Sequence, residues 1–158
     1  MREELAYVAG LLDGEGYIGI ARMARDQYKH GVNYTPMVKL VSTHEPLVSY
    51  LIERFGGNRS HRVFPSHRNS RDAFEWGIRS RRRVLPFLKQ IRPWLRVKAD
   101  AADVVIGLCE SMGRWGCNGM SDEEFQRRTR LWEDLRRLNH RGRPPAETER
   151  EDTLHTAG

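Results

Sequence analysis

A helical hydrophobic period gives way to a strand period within four residues near the start of the chain. Leu5, Val8, Ala9, Leu11 and Leu12 recur at i/i+3/i+4 spacing over 3–14, and Ile18 and Ile20 then share one face of a strand over 17–25. Only Asp13-Gly14-Glu15-Gly16 lies between, and its glycines suit a helix end. Residues 26–34, with Gly31 and Asn33, read as a turn, and 37–42 as a second strand with Val38 and Leu40 on one face. Pro46 opens a helix that runs to about Phe55 and is closed by Gly56-Gly57. Residues 58–64 and 73–79 read as a hairpin with a polar loop over 65–72, Phe74, Trp76 and Ile78 pointing one way. A short helix over 84–91 is interrupted by Pro93, and a longer one follows over 97–112. Ser121-Asp122-Glu123-Glu124 is a capping-box start for a last helix reaching about Leu138. The order α-β-β-α-β-β-α with two further helices is an α+β pattern in one domain over 1–140. Residues 141–158 are polar, hold Pro144-Pro145 and are expected to form a flexible tail.

Length and composition set the class. A chain of 158 residues with 39% hydrophobic content and four tryptophans fits one globular domain with its own core. No run approaches the ~20 apolar residues of a membrane span. The opening Met1-Arg2-Glu3-Glu4 is polar and acidic, unlike a signal peptide, and Cys109 and Cys117 are the only cysteines. The expectation is a reducing compartment, cytoplasm or a host organelle or nucleoid, with no secretion and no membrane partner. Charge is uneven: residues 1–100 carry 18 basic and 10 acidic side chains, residues 101–158 carry 9 and 11. A basic first two-thirds suggests a polyanionic partner, nucleic acid above all.

Two features of the first helix carry chemistry. Ala6, Gly10 and Gly14 lie four apart, so minimal side chains line one stripe of a helix in which each glycine costs ~1 kcal/mol relative to alanine. Either a second helix approaches closely along that stripe or the helix packs tightly inside its own subunit. Asp13 and Glu15 fall at the helix C-terminus, where the macrodipole disfavours carboxylates. They are either an acidic cap or oxygen ligands for a hard cation such as Mg²⁺. Zinc is not indicated, because Cys109 and Cys117 lack paired Cys or His ligands at zinc spacing.

The combination is more specific than its parts. Val8–Gly16, written V-A-G-L-L-D-G-E-G, resembles the nine-residue signature of the LAGLIDADG homing endonucleases. Pro36–Gly57, Phe74-Glu75-Trp76, Leu85–Ile91 and Pro93-Trp94-Leu95-Arg96-Val97-Lys98 resemble the family's later blocks. The resemblance implies the family's fold, with a four-stranded antiparallel DNA-binding saddle and additional C-terminal helices. It implies site-specific, metal-dependent phosphodiester hydrolysis that makes staggered double-strand cuts in a long, roughly palindromic DNA target. The alternative on the same scaffold is an intron-splicing maturase with an RNA partner, or a non-cleaving DNA-binding regulator.

The family's motif also assigns residues. Glu15 matches the metal-binding acid, with the Gly14 carbonyl as an additional ligand, and Asp13 matches the acid that caps the helix end. Lys98 matches the family's basic catalytic residue, and Ser42 and Thr43 stand where a polar residue orders the attacking water. Mg²⁺ is the implied cofactor, Mn²⁺ a substitute, and Ca²⁺ an ion that binds without supporting cleavage. A single copy of the signature implies a homodimer, with Ala6, Gly10, Asp13 and Gly14 at the interface. The expected DNA contacts are Arg25, Lys39, Arg59, Arg62, Arg68, Arg71, Glu75 and Arg79 on the saddle. Arg81, Arg82 and Arg83 are expected on phosphate, because a clustered run follows charge rather than bases.

Overall fold

The computed structural model describes residues 1–62, 72–113 and 119–139. Helix α1 (Arg2–Glu15) runs without a break into strand β1 (Gly16–Ala24), followed by β2 (Val32–Ser42) and α2 (Glu45–Phe55). Strands β3 (Asn58–Arg62) and β4 (Ala73–Arg79) lead to α3 (Arg81–Ile91) and a 3₁₀ turn at Arg92–Trp94. Helices α4 (Ala99–Ser111) and α5 (Asp122–Asn139) complete the described chain. The α+β order is the expected one. Two boundaries differ by more than two residues. β2 starts at Val32 rather than 37, because it pairs with β1 along its whole first half despite the turn-forming composition of that stretch. α3 starts at Arg81 rather than 84, so the run of three arginines forms its first turn. Arg68, Arg71, Cys117 and the tail over 141–158 lie outside the described residues.

The four strands form one antiparallel sheet in the order β1-β2-β4-β3. Register divides its two faces. Ile18, Val38 and Ile78 stand in one row, Leu40 and Trp76 in the next, and all five are buried beneath the helices. Val8, Ala9 and Leu12 of α1 and Val48 and Leu51 of α2 close over them, with Val84, Leu88 and Ile91 of α3. Burial of these large side chains is the main favourable term for the fold, at ~1.5–3 kcal/mol each.

Trp76 anchors the centre. Its ring meets Phe87 edge-on at 5.5 Å, and its Nε1 donates to the Gly56 carbonyl at 2.8 Å. The α2–β3 connection can approach this closely only with glycine. Gly56 and Gly57 have φ of 70° and 108°, and a Cβ on Gly57 would lie 2.7 Å from the Gly77 carbonyl oxygen.

Helix α5 covers the outer end of the same face. Phe125 stacks on His30 at 4.4 Å, and the Tyr34 hydroxyl donates to Thr129 Oγ1 at 3.1 Å. Trp132 lies between the guanidinium groups of Arg22 and Arg136, at 5.7 and 4.8 Å from its ring centroid. The opposite face of the sheet bears no described helix. No described helix is long and apolar enough to cross a membrane.

Candidate active site and nucleic-acid face

The C-terminus of α1 is held by a reciprocal clamp to the segment before α4. The Asp13 carboxylate accepts from the backbone N–H of Arg96 at 2.7 Å and of Lys98 at 2.9 Å. In return, Lys98 Nζ donates to the Leu12 and Asp13 carbonyls at 2.6 and 2.7 Å. The ammonium thus adds to the Gly16 N–H on the Leu12 carbonyl and supplies a donor to the Asp13 carbonyl, at a helix end where the dipole favours a cation. Burial opposes the charge on Asp13, but backbone N–H donors from Arg96, Lys98 and Val97 outweigh it and hold the carboxyl below its ordinary range. Burial also lowers the Lys98 pKa, and the Asp13 charge offsets part of that shift. Asp13 is therefore a helix-end clamp, and Lys98 completes that clamp from the other side.

Glu15 is the last residue of α1 and is exposed. Among the described residues no hydrogen bond or ion pair holds its carboxylate. The carbonyl of Gly14, the preceding residue, is not among the acceptors of Lys98. Carboxylate and carbonyl oxygens are hard donors of the kind that Mg²⁺ prefers. No three His, Cys, Asp or Glu side chains cluster among the described residues. Within one chain, therefore, the described residues bring no two further such side chains to Glu15 to complete a ligand set.

None of the described residues occupies the glycine stripe. A Cβ built on Gly10 or Gly14 meets no atom within 4 Å. Both residues are exposed, Ala6 is half-buried, and Tyr7 beside them is 53% exposed. Packing against the described residues therefore does not explain these glycines.

The other expected residues divide by face. Lys39, Glu75, Arg79 and Arg62 lie on the open face, and Arg25 follows the end of β1. Arg62 Nη2 donates to Glu75 Oε2 at 2.6 Å, which fixes the guanidinium on that face. Arg59 pairs with Trp76 in the ladder, so it stands on the helix-covered side and binds Glu45. Arg81 Nε donates to the Cys109 carbonyl at 2.7 Å, whereas Arg82 and Arg83 are exposed. Ser42 Oγ accepts from the His44 N–H at 3.1 Å, which turns the chain into α2, and Thr43 is exposed.

Sequence reasoning left one open-face feature unassigned. The Tyr17 ring lies over Gly19, where an added Cβ would sit 2.3 Å from it, and Lys39 Nζ stands 5.3 Å from the ring centroid. The sequence signal is an aromatic residue two positions before a glycine on one strand face.

Among solved structures, the chain is similar to the homing endonuclease I-CvuI, solved in complex with its target in the presence of Ca. The TM-score is 0.72 at 16% identity, over 87% of this chain and 82% of that one. It is similar to the archaeal intron-encoded homing endonuclease I-Vdi141I, complexed with DNA, with a TM-score of 0.72 at 14% identity over 89% and 86% of the two chains. The LAGLIDADG homing endonuclease I-LtrWI, bound to target DNA, matches with a TM-score of 0.67 at 15% identity. That match spans 81% of this chain and 42% of that one. No protein-family model and no curated protein sequence matches the chain. The α1–β1 junction, the four-stranded sheet and the helices over one of its faces give this chain the LAGLIDADG homing endonuclease fold.

Proposed function

We propose that the chain is a site-specific DNA endonuclease that acts as a symmetric dimer and hydrolyses one phosphodiester in each strand with divalent metal. One observation carries the reading: an exposed acid ends a helix whose glycine stripe none of the described residues fills. A second α1 seated on that stripe would bring two copies of Glu15 to a shared axis. Two antiparallel strands need two equivalent acids, and a two-fold axis supplies them.

Each Glu15, with the Gly14 carbonyl, would hold the ion, and Mg²⁺ suits these oxygen donors, with Mn²⁺ as a substitute and Ca²⁺ as a non-productive occupant. When bound, the ion supplies charge stabilisation at the scissile phosphate and makes nearby water more acidic. The chain's own residues do the rest. Asp13 and Lys98 fix the end of α1, so that Glu15 is held in place at little entropic cost. Thr43, exposed beyond the end of β2, is a candidate to order water, whereas Ser42 is occupied by the turn into α2. The open sheet face, with Lys39, Arg62 and Arg79, lies along the groove, while Arg82 and Arg83 bind phosphate.

A supercoiled plasmid library of candidate sites, incubated with Mg²⁺ and separately with Ca²⁺, tests the reading. Linear product with Mg²⁺ alone is expected, and Glu15→Gln should abolish it while leaving DNA binding intact, since a neutral amide is a poor ligand for a hard cation. Tight binding without cutting in either metal would instead indicate a regulator or an intron-RNA maturase. Normal cutting by Glu15→Gln would show that another residue holds the metal.

A further inference from the structure

The open face of the sheet is chemically divided along its strand order. On β1 and β2, Ala21 stands opposite Thr35, Met23 opposite Asn33, and Gly19 opposite Met37. That half carries methyl, thioether and amide groups, with Met37 buried and the Tyr17 ring over Gly19, and its one charge within the strands is Lys39. On β4 and β3 the same face carries Glu75, Arg79 and Arg62, with Arg62 tied to Glu75 at 2.6 Å. In the major groove the thymine C5-methyl is the apolar group displayed, and alanine or the threonine methyl packs against it. Arginine instead matches guanine O6 and N7. The Asn33 Oδ1 accepts from the Tyr34 N–H at 2.9 Å, which leaves the amide N–H groups for an acceptor such as adenine N7.

We infer that the β1–β2 half reads A·T pairs through thymine methyl groups, and that the β3–β4 half reads G·C pairs. This rests on the DNA-binding reading proposed above. It also places the A·T segment. β1 leaves α1 directly at Gly16, so Ala21 and Met23 lie six and eight residues beyond Glu15. At ~3.3 Å per residue that is ~20–26 Å. With a duplex rise of ~3.4 Å per base pair, a strand following the groove meets its thymines about six to eight base pairs from the cut.

Selection of bound sequences from randomised duplex DNA provides the test, followed by replacement of thymine with deoxyuridine, which pairs identically but lacks the methyl. Expected are thymines on either strand at two or more positions in the outer segment, and binding about fourfold weaker for each methyl removed. Arg79→Ala should relax preference at a separate G·C position and leave the thymine segment unchanged. Bound duplexes with no base preference in the outer segment, or equal binding of the deoxyuridine duplex, would overturn the inference while leaving DNA binding intact. Failure to bind any duplex would overturn the proposed function, and this inference with it.

Discussion

At the scale of single residues, the clamp between Asp13 and Lys98 decides how well the end of α1 is fixed. Asp13→Asn keeps the size of the side chain and removes the charge from hydrogen bonds that are worth about 1.5–3 kcal/mol each when charged. Thermal melts near neutral pH should therefore show a clear loss of stability. The dependence on pH has a definite sign. The folded pKa of Asp13 lies below its ordinary value of 3.8. Its stabilisation is complete above the unfolded value and disappears as pH falls through the folded one. A melting series below about pH 4 should show the native chain losing this contribution and Asp13→Asn unaffected by it. The sequence placed Asp13 at a helix end correctly, because helix periodicity and flanking glycines are local signals. It could not show that Lys98 points back at the same helix, since that contact spans 85 residues.

At the scale of elements, α1 is a helix whose exposed stripe costs helix stability without repayment from the described residues. Gly10→Ala meets open space. It should leave the monomer equally stable or raise its stability by up to ~1 kcal/mol. If the stripe is an interface, Gly10→Leu should convert a dimer to a folded monomer in sedimentation, and its melting should lose the dependence on protein concentration that a dimer shows. A Gly10→Leu protein that still sediments as a dimer would exclude this face.

Helix α5 depends on different contacts. Trp132 lies against Tyr34 and between two guanidinium groups. Trp132→Ala should cost about 2–4 kcal/mol in denaturant unfolding and expose amides of α5 to exchange before those of the sheet. Elements with a clean period were legible in the sequence. The start of β2 was not, because Asn33 and Pro36 are turn-formers that only pairing with β1 holds extended. The start of α3 was hidden by charge, since three arginines give no periodic apolar signal. The side taken by Arg59 was illegible for a third reason: it depends on the β3–β4 register, which sequence spacing does not set.

At the scale of the whole molecule, the distribution of function between two copies makes the sharpest demand. One chain offers one exposed Glu15, and the described residues hold no other acid cluster that could serve the second strand. If two chains share the work, activity must depend on how copies are paired and not only on how many are active. Native chains and Glu15→Gln chains mixed in equal amounts and refolded together form about one quarter native pairs, one half mixed pairs and one quarter inactive pairs, as two-fold assembly requires. Mixed pairs retain one acid, so they can open at most one strand and leave nicked circles. Linear plasmid should then fall to about one quarter of the value for native protein alone, with binding unchanged, whereas an enzyme complete in one chain would give one half. Ionic strength provides the matching control. Each neutralised phosphate contributes ~0.9 log unit of affinity per decade of salt. A dimer engaging both half-sites should therefore show about twice the slope on the full target that Gly10→Leu monomer shows on a half-site. A slope that is the same for both would mean that one copy makes all the contacts, and the quarter rule would fail with it.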